Sequence, residues 1–435
     1  SDQCVRVTLI SSTKSDDSDE STAYIVGIEA RLQDIRAGKE RHLVAQVLHN
    51  WYTLPYTLHL WPISFLTTHE AFVPSSVVLK PNILLLSYGR HEVRLLELSE
   101  DADMFNLIKN PWMAMAQVLH TQKLIVMPTV KYNALLKDVG EYEHKVVWMF
   151  HMARSGSTLL AQMFHTLPDW TVISECQTMV YSTLHAQSAT DMAAFSQTKF
   201  FEDLVVAYIK SYPRLVPKGN SVFWKSFAVL SEHMIPIIHA KFPTHKIMFS
   251  YRNSFAAAKS YHNFFSPQYI SLNRLELLCA DMDNLEPASL SRVLRLFWTT
   301  GYNFETCRRA AKESGIKPVV FEWFVVRWSA QVTTLTSFQG AGIPIKCVKY
   351  EDIISDPHRT VSKMFSHVGV ALDLVDTALQ AMKRDSQAGY SFSKDHMKNY
   401  KGWVETEEAI KRCNRVLQVF NLPNLRSDFA MEGTL

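Results

Sequence analysis

The sequence predicts an α/β fold: a central parallel sheet flanked by helices, with an N-terminal α+β addition. Residues 145–150, 221–225 and 246–251 are short runs rich in β-branched and aromatic side chains with little polar alternation, the pattern of strands buried on both faces. Stretches with apolar residues at helical spacing follow them, so strand and helix alternate and right-handed βαβ crossovers are implied. The turn Ala153 to Thr158 is small and polar with one arginine, and it runs straight into a helix. A helix start offers unpaired backbone N–H groups and the positive end of its dipole, so this is a phosphate-binding layout.

The elements follow in order. Residues 5–10 read as a strand and 11–21 as a polar loop. Residues 25–35 and 43–51 carry helical periodicity. Residues 77–79 and 83–98 read as strands, the latter turning at Ser87-Tyr88-Gly89-Arg90, and 104–119 as a helix that Pro111 kinks or splits. No chemical motif appears up to residue 140, so residues 1–140 are read as an accessory α+β region and 141–435 as the main domain. In that domain 145–150 is a strand, 158–166 a helix, and a second strand ends at Glu175. Then come helical residues 179–212, a strand 221–225 ending in Lys225, a helix 231–240, a strand 246–251, and a helix with Ser254 as N-cap. Residues 272–311 are helical, within a cap at about 265–320. A helix at 322–337, a strand at 343–348, helical residues 360–382 and a small-residue loop at 385–394 complete the reading.

With 435 residues, 47% hydrophobic, the chain can bury a sizeable core. A net charge of +3 is too mild to argue for nucleic acid, so any anion site must be local. The cysteines Cys4, Cys176, Cys279, Cys307, Cys347 and Cys413 stand singly, without metal or disulfide spacing, and no Asn-x-Ser/Thr sequon occurs. Both point to a reducing, cytoplasmic setting. Residues 50–68 are interrupted by Pro55, His59 and Pro62, so no membrane span is read; a signal or anchor ahead of Ser1 stays open.

Arg154-Ser155-Gly156-Ser157-Thr158 lacks the GxxxxGK[ST] of a Walker A loop, and no aspartate-ended strand offers a magnesium ligand. It still provides backbone donors, hydroxyls and a guanidinium, which suit a nucleotide with a short 5′ phosphate group and no metal. Arg252 ends a strand and Ser260 lies two helical turns on, so both can meet one anion at the sheet's carboxyl edge. Lys225, ending an apolar strand, needs an anionic partner.

Together these motifs resemble the sulfotransferase family, which uses 3′-phosphoadenosine 5′-phosphosulfate (PAPS) and releases adenosine 3′,5′-bisphosphate (PAP). The resemblance covers about residues 141–400. In that family a [RK]-S-G-[ST]-[ST] loop, here Arg154 to Thr158, holds the 5′-phosphosulfate, and R-x7-S, here Arg252 and Ser260, holds the 3′-phosphate. The strand followed by Tyr350-Glu351-Asp352-Ile353 and then Asp356-Pro357 matches the family's tail pattern. It implies a P-loop-like sulfotransferase fold and no required metal.

The resemblance also implies roles. The cytosolic class carries a histidine two residues after the strand-end lysine; here that position is Phe227. Glu175 matches the glutamate base of the tyrosylprotein and bacterial types, with burial raising and Arg154 lowering its pKa toward a base near neutrality. Lys225 would neutralise the bridging oxygen as the sulfuryl group leaves. Arg384 and Ser386 lie where the family's tail folds over the nucleotide, although the RKG pattern is missing. His151, His165, His233 and His262 are alternative bases or packing residues.

The function implied is in-line sulfuryl transfer to a hydroxyl or amine, with Glu175, Lys225 and Arg154 catalytic and Ser155, Gly156, Ser157, Thr158, Arg252, Ser260 and Ser386 among the donor-binding residues. The alternatives are a divergent P-loop kinase and a non-catalytic nucleotide-binding module. A small-molecule acceptor is expected first, then a protein or carbohydrate, with homodimerisation open and no nucleic acid partner.

Overall fold

The protein is described by a computed structural model over residues 44–53, 65–139, 143–179, 197–226, 231–265, 320–388, 393, 395 and 405–435. The expectations for 5–10, 11–21, 25–35, 272–311 and Phe227 lie outside these residues, as does nearly all of the cap at 265–320. The chain divides into two compact units.

The first unit takes in the chain up to Met104, together with Met113–Tyr142 and Val206–Val216. Its strands are β1 (Val44–Thr53), β2 (Phe65–Pro74), β3 (Ile83–Tyr88), β4 (Glu92–Leu98) and β5 (Thr121–Pro128), in an antiparallel sheet of order β2-β1-β5-β4-β3. Its helices are α1 (Met113–His120) and α2 (Thr129–Asp138). The hairpin of β3 and β4 is as expected, closed by the Gly89 N–H on the Glu92 carbonyl at 2.9 Å.

Three expectations fail here, each for a physical reason. Residues 43–51 were expected to be helical and form β1, because their backbone is laddered on both sides, Val47 opposite both Ala71 and Ile125. Partners distant in sequence override local periodicity. Residues 77–79 belong to a 3-10 turn, Ser75–Leu79, not a strand: Pro74, with φ −56°, closes β2 immediately before it. The helix expected over 104–119 is α1 alone. Ahead of it the Asn106 side chain accepts from the N–H groups of Ile108 and Lys109, which is turn chemistry.

The second unit comprises Phe105–Trp112, Glu143–Val205 and Pro217–Leu435. Strands β6 (Val146–His151), β7 (Trp170–Ser174), β8 (Ser221–Lys225), β9 (Lys246–Tyr251) and β10 (Ile345–Lys349) form a parallel sheet of order β10-β9-β6-β8-β7. Helices α3 (Ser157–His165), α4 (Lys199–Ser211, whose residues from Val206 on count with the first unit), α5 (Ile235–Lys241), α6 (Ser254–Phe265), α7 (Val320–Gly340), α8 (Tyr350–Ser355), α9 (Pro357–Val368), α10 (Val375–Leu379) and α11 (Glu407–Val419) follow along the chain. All six residues of β6 are buried, as a strand covered on both faces requires. On one face Val147 and Met149 join Leu160 and Phe164 of α3 and Phe365 of α9; Phe164 stacks on Phe223 with ring centroids 4.1 Å apart. Trp148 stacks on Trp224 at 4.3 Å and donates its indole N–H to His245, whose pKa burial pushes down to about 4.

From β6 the chain builds β7 and β8 on one side and then β9 and β10 on the other. The carboxyl end of β6 is therefore a topological switch point, the place where open α/β sheets bind ligands.

Candidate active site

Strand register delivers the expected residues to this one edge. Ser174 pairs with Lys225 across β7 and β8, so Glu175 lies one residue beyond the lysine; Tyr251 pairs with Lys349 across β9 and β10, so Arg252 and Tyr350 are also neighbours. The loop between β6 and α3 lies between these pairs.

The loop's backbone is shaped by two left-handed residues, Arg154 (φ 67°) and Gly156 (φ 80°). At Gly156 a β-carbon would also lie 2.4 Å from the Tyr350 ring, so glycine is required on both counts. No side chain caps α3, leaving its first-turn N–H groups to an outside acceptor. The hydroxyls are more committed than the sequence implied. Ser155 is buried, donating to the Met152 carbonyl at 2.6 Å and lying 2.5 Å from the Ser250 hydroxyl. It offers a ligand its backbone rather than its side chain. Ser157 Oγ lies 3.0 Å from His151 Nδ1, and Thr158 Oγ1 accepts from Lys225 Nζ at 3.2 Å; having accepted, the Thr158 hydroxyl still has its own proton to donate.

Arg154 donates from Nε to Ser260 Oγ at 3.0 Å and from Nη1 to Gln387 Oε1 at 3.0 Å. Ser260, expected beside Arg252, thus meets the loop arginine. Gln387 carried no sequence signal beyond lying in the small-residue loop. The adjacent Ser386 takes part through its carbonyl, which accepts from Gln162 Nε2 at 3.1 Å.

Lys225 is fully buried and donates to Glu175 as well as to Thr158. Two partners use two of its three N–H bonds. Burial pushes the Lys225 ammonium down, and Glu175 offsets part of that. Glu175 has the left-handed φ of 43°, rare for a residue with a β-carbon, and its N–H is held by the Lys225 carbonyl at 3.0 Å. Burial pushes its carboxyl up, but the Lys225 ammonium and His151 outweigh this and hold it at about 2. The expectation of a base near neutrality is corrected for this arrangement: the carboxylate is ionised and paired to a cation that makes it a weak base. Of the histidines, His151 is in the site, its Nε2 3.4 Å from Glu175 Oε1. It is one of the four histidines named as alternative bases or packing residues, and it ends β6.

Arg252 is more open. Its guanidinium lies over the Tyr350 ring at 4.6 Å, and Nε is 3.8 Å from Glu351 Oε1. That Nε and Glu351 Oε2 are buried without hydrogen bonds among the described residues. Asn253, not Ser254, caps α6: its Oδ1 accepts from the Phe255 N–H at 3.0 Å, and its own N–H donates to Glu351. An Asn side chain reaches the second N–H of the helix only from the cap position, which places Ser254 inside the first turn. Among the described residues no cluster of His, Cys, Asp or Glu could hold a metal ion, and no helix is long and apolar enough to cross a membrane.

No family model and no curated protein matches the chain. Among solved structures it is similar to a sulfotransferase from Alicyclobacillus acidocaldarius, at 14% identity over 64% of this chain and 97% of that one, with a TM-score of 0.36. It is similar also to the sulfotransferase domain from the curacin biosynthetic pathway (11%, 65% and 100%, TM-score 0.35) and to sulfotransferase STF1 from Mycobacterium tuberculosis (13%, 66% and 78%, TM-score 0.34).

Proposed function

We propose that the chain is a PAPS-dependent sulfotransferase acting on a hydroxyl or amine of a small-molecule acceptor and releasing PAP. The observation that carries this reading is the pairing of the fully buried Lys225 with the part-buried Glu175 beside an uncapped helix start at the switch point of the sheet. The residues fit a nucleotide with two anionic ends. The α3 N-terminus carries no side-chain cap, and Arg252 Nε is a buried donor without a hydrogen bond among the described residues on the other side of β6.

The backbone of Arg154 to Thr158 and the Arg154 guanidinium would hold the 5′-phosphosulfate, and Arg252, with the Ser260 region of α6, the 3′-phosphate. When bound, the donor supplies an activated sulfuryl group with a phosphate as leaving group. Lys225 is drawn from Glu175 toward the negative charge that grows on the leaving oxygen. Glu175 then loses one of the two partners that depress it, His151 remaining, and the carboxylate, raised by burial, becomes more basic and able to take the acceptor's proton. Base activation is thus tied to leaving-group stabilisation through one lysine.

The test is a screen of phenols, alcohols, amines and sugars with PAPS in metal-free buffer. Acceptor-dependent PAP formation supports the reading. PAP binding without transfer would favour a non-catalytic module, and magnesium-dependent ATP consumption a kinase.

A further inference from the structure

We propose that His151 is a positioning residue that holds the Glu175 carboxylate in place when Lys225 leaves it; this rests on the sulfotransferase reading above. His151 is 3% exposed and both ring nitrogens are engaged. Nε2 lies 2.8 Å from the Ser226 carbonyl and 3.4 Å from Glu175 Oε1. A carbonyl and a carboxylate only accept, so Nε2 carries a proton and shares it between them. With the proton on Nε2, Nδ1 accepts from the Ser157 hydroxyl at 3.0 Å, whereas the Met152 carbonyl 3.1 Å away has no proton to give it. The imidazole therefore connects the base with the first residue of α3, where the donor's anion would sit.

Its place is fixed from three further directions. Ser226 N–H donates to the Met149 carbonyl at 3.0 Å, Gln331 of α7 donates to the His151 carbonyl at 3.5 Å, and β9 runs alongside with Ser250 in register. The only charged groups in contact with the ring or its carboxylate partner among the described residues are Glu175 and Lys225. With Lys225 withdrawn, the Nε2 proton is the remaining polar contact from a side chain to Glu175 Oε1. A carboxylate that lost both partners would swing on its own rotors, and a misplacement of about 1 Å costs a general base on the order of 100-fold in rate.

The test compares His151→Gln, whose amide reaches the Nε2 position, with His151→Asn, whose amide reaches only the Nδ1 position. The account predicts that His151→Gln keeps turnover within a few-fold of wild type. His151→Asn loses about 100-fold in kcat, with KM for PAPS and PAP affinity unchanged. Equal losses in both variants, or a loss confined to donor affinity, would overturn it. A second arm needs no turnover and so separates this inference from the sulfotransferase reading. In a Lys225→Met background, the isotope-labelled Glu175 carboxyl is titrated by NMR. Its midpoint is expected to rise by about one pH unit when His151→Asn is added and to stay put with His151→Gln. An unchanged midpoint in both would overturn the proposal even if sulfuryl transfer is established, and the expected split would support His151 as the holder of Glu175 even if the acceptor screen fails.

Discussion

Two cations stand at the same edge of the parallel sheet, on either side of β6, and they are held in opposite ways. Lys225 is fully buried, bonded to Glu175 and Thr158. Arg252 is 27% exposed, stacked on Tyr350, with a carboxylate 3.8 Å away and Nε without a hydrogen bond. A buried ion pair brings little net stability, because desolvation consumes most of its Coulombic gain. Such a pair at the switch point of the sheet is better accounted for by the proposed chemistry, in which its charges are redistributed, than by stability. Arg252 is held more loosely, its Nε lacking a hydrogen bond among the described residues, which suits the proposed role of receiving an anion. On the proposed reading, the difference separates a chemical end, set by Lys225 and Glu175, from a binding end, set by Arg252 and Tyr350.

The comparison breaks if substitutions at the two ends act alike. Glu175→Gln should have the largest effect, about 1000-fold on kcat, since the amide cannot take the acceptor's proton; PAP affinity measured by calorimetry should hold. Lys225→Ala should lower kcat by about 100- to 1000-fold through lost stabilisation of the leaving oxygen, again with PAP still bound. Arg252→Ala should instead weaken PAP binding by about 10- to 100-fold, as expected for a charge-assisted hydrogen bond, and change kcat at saturating donor only a few-fold. A loss of turnover in Arg252→Ala without a loss of affinity would erase the division.

The smallest effect concerns acid stability. The folded Glu175 carboxyl, at about 2, lies below its ordinary value of 4.5. The stability contributed by its ionisation is therefore fully present above about 4.5 and lost as pH falls toward 2. Denaturant midpoints of wild type and Glu175→Gln should converge over that window; a gap that persists unchanged would mean that Glu175 is not depressed by its neighbours.

The parallel half of the molecule was legible because its signals are local. Residues 221–225 and 246–251 form strands at the residues expected, since short, mainly apolar runs buried on both faces leave little choice of boundary. The antiparallel half was less legible. β1 reads as helical until β2 and β5 are known to flank it, and both lie elsewhere in the chain. The site shows the same division. Arg154, Glu175, Lys225 and Arg252 stand out in the sequence because each follows or ends a strand. The Ser260 contact with Arg154, the Gln387 contact and the place of His151 against Glu175 depend on segments brought together only by folding. Sequence spacing indicated which residues reach the edge, whereas their pairing there, and so the low basicity of Glu175 at rest, required three-dimensional contacts.

If one lysine couples the base to the leaving group, transfer of radiosulfur from labelled PAPS depends on both members of the Lys225–Glu175 pair. Wild-type protein should move label to an acceptor in metal-free buffer, while Glu175→Gln and Lys225→Ala bind PAP equally well and move almost none. Full transfer by either variant, or PAP binding by wild type with no transfer to any acceptor, would contradict the account.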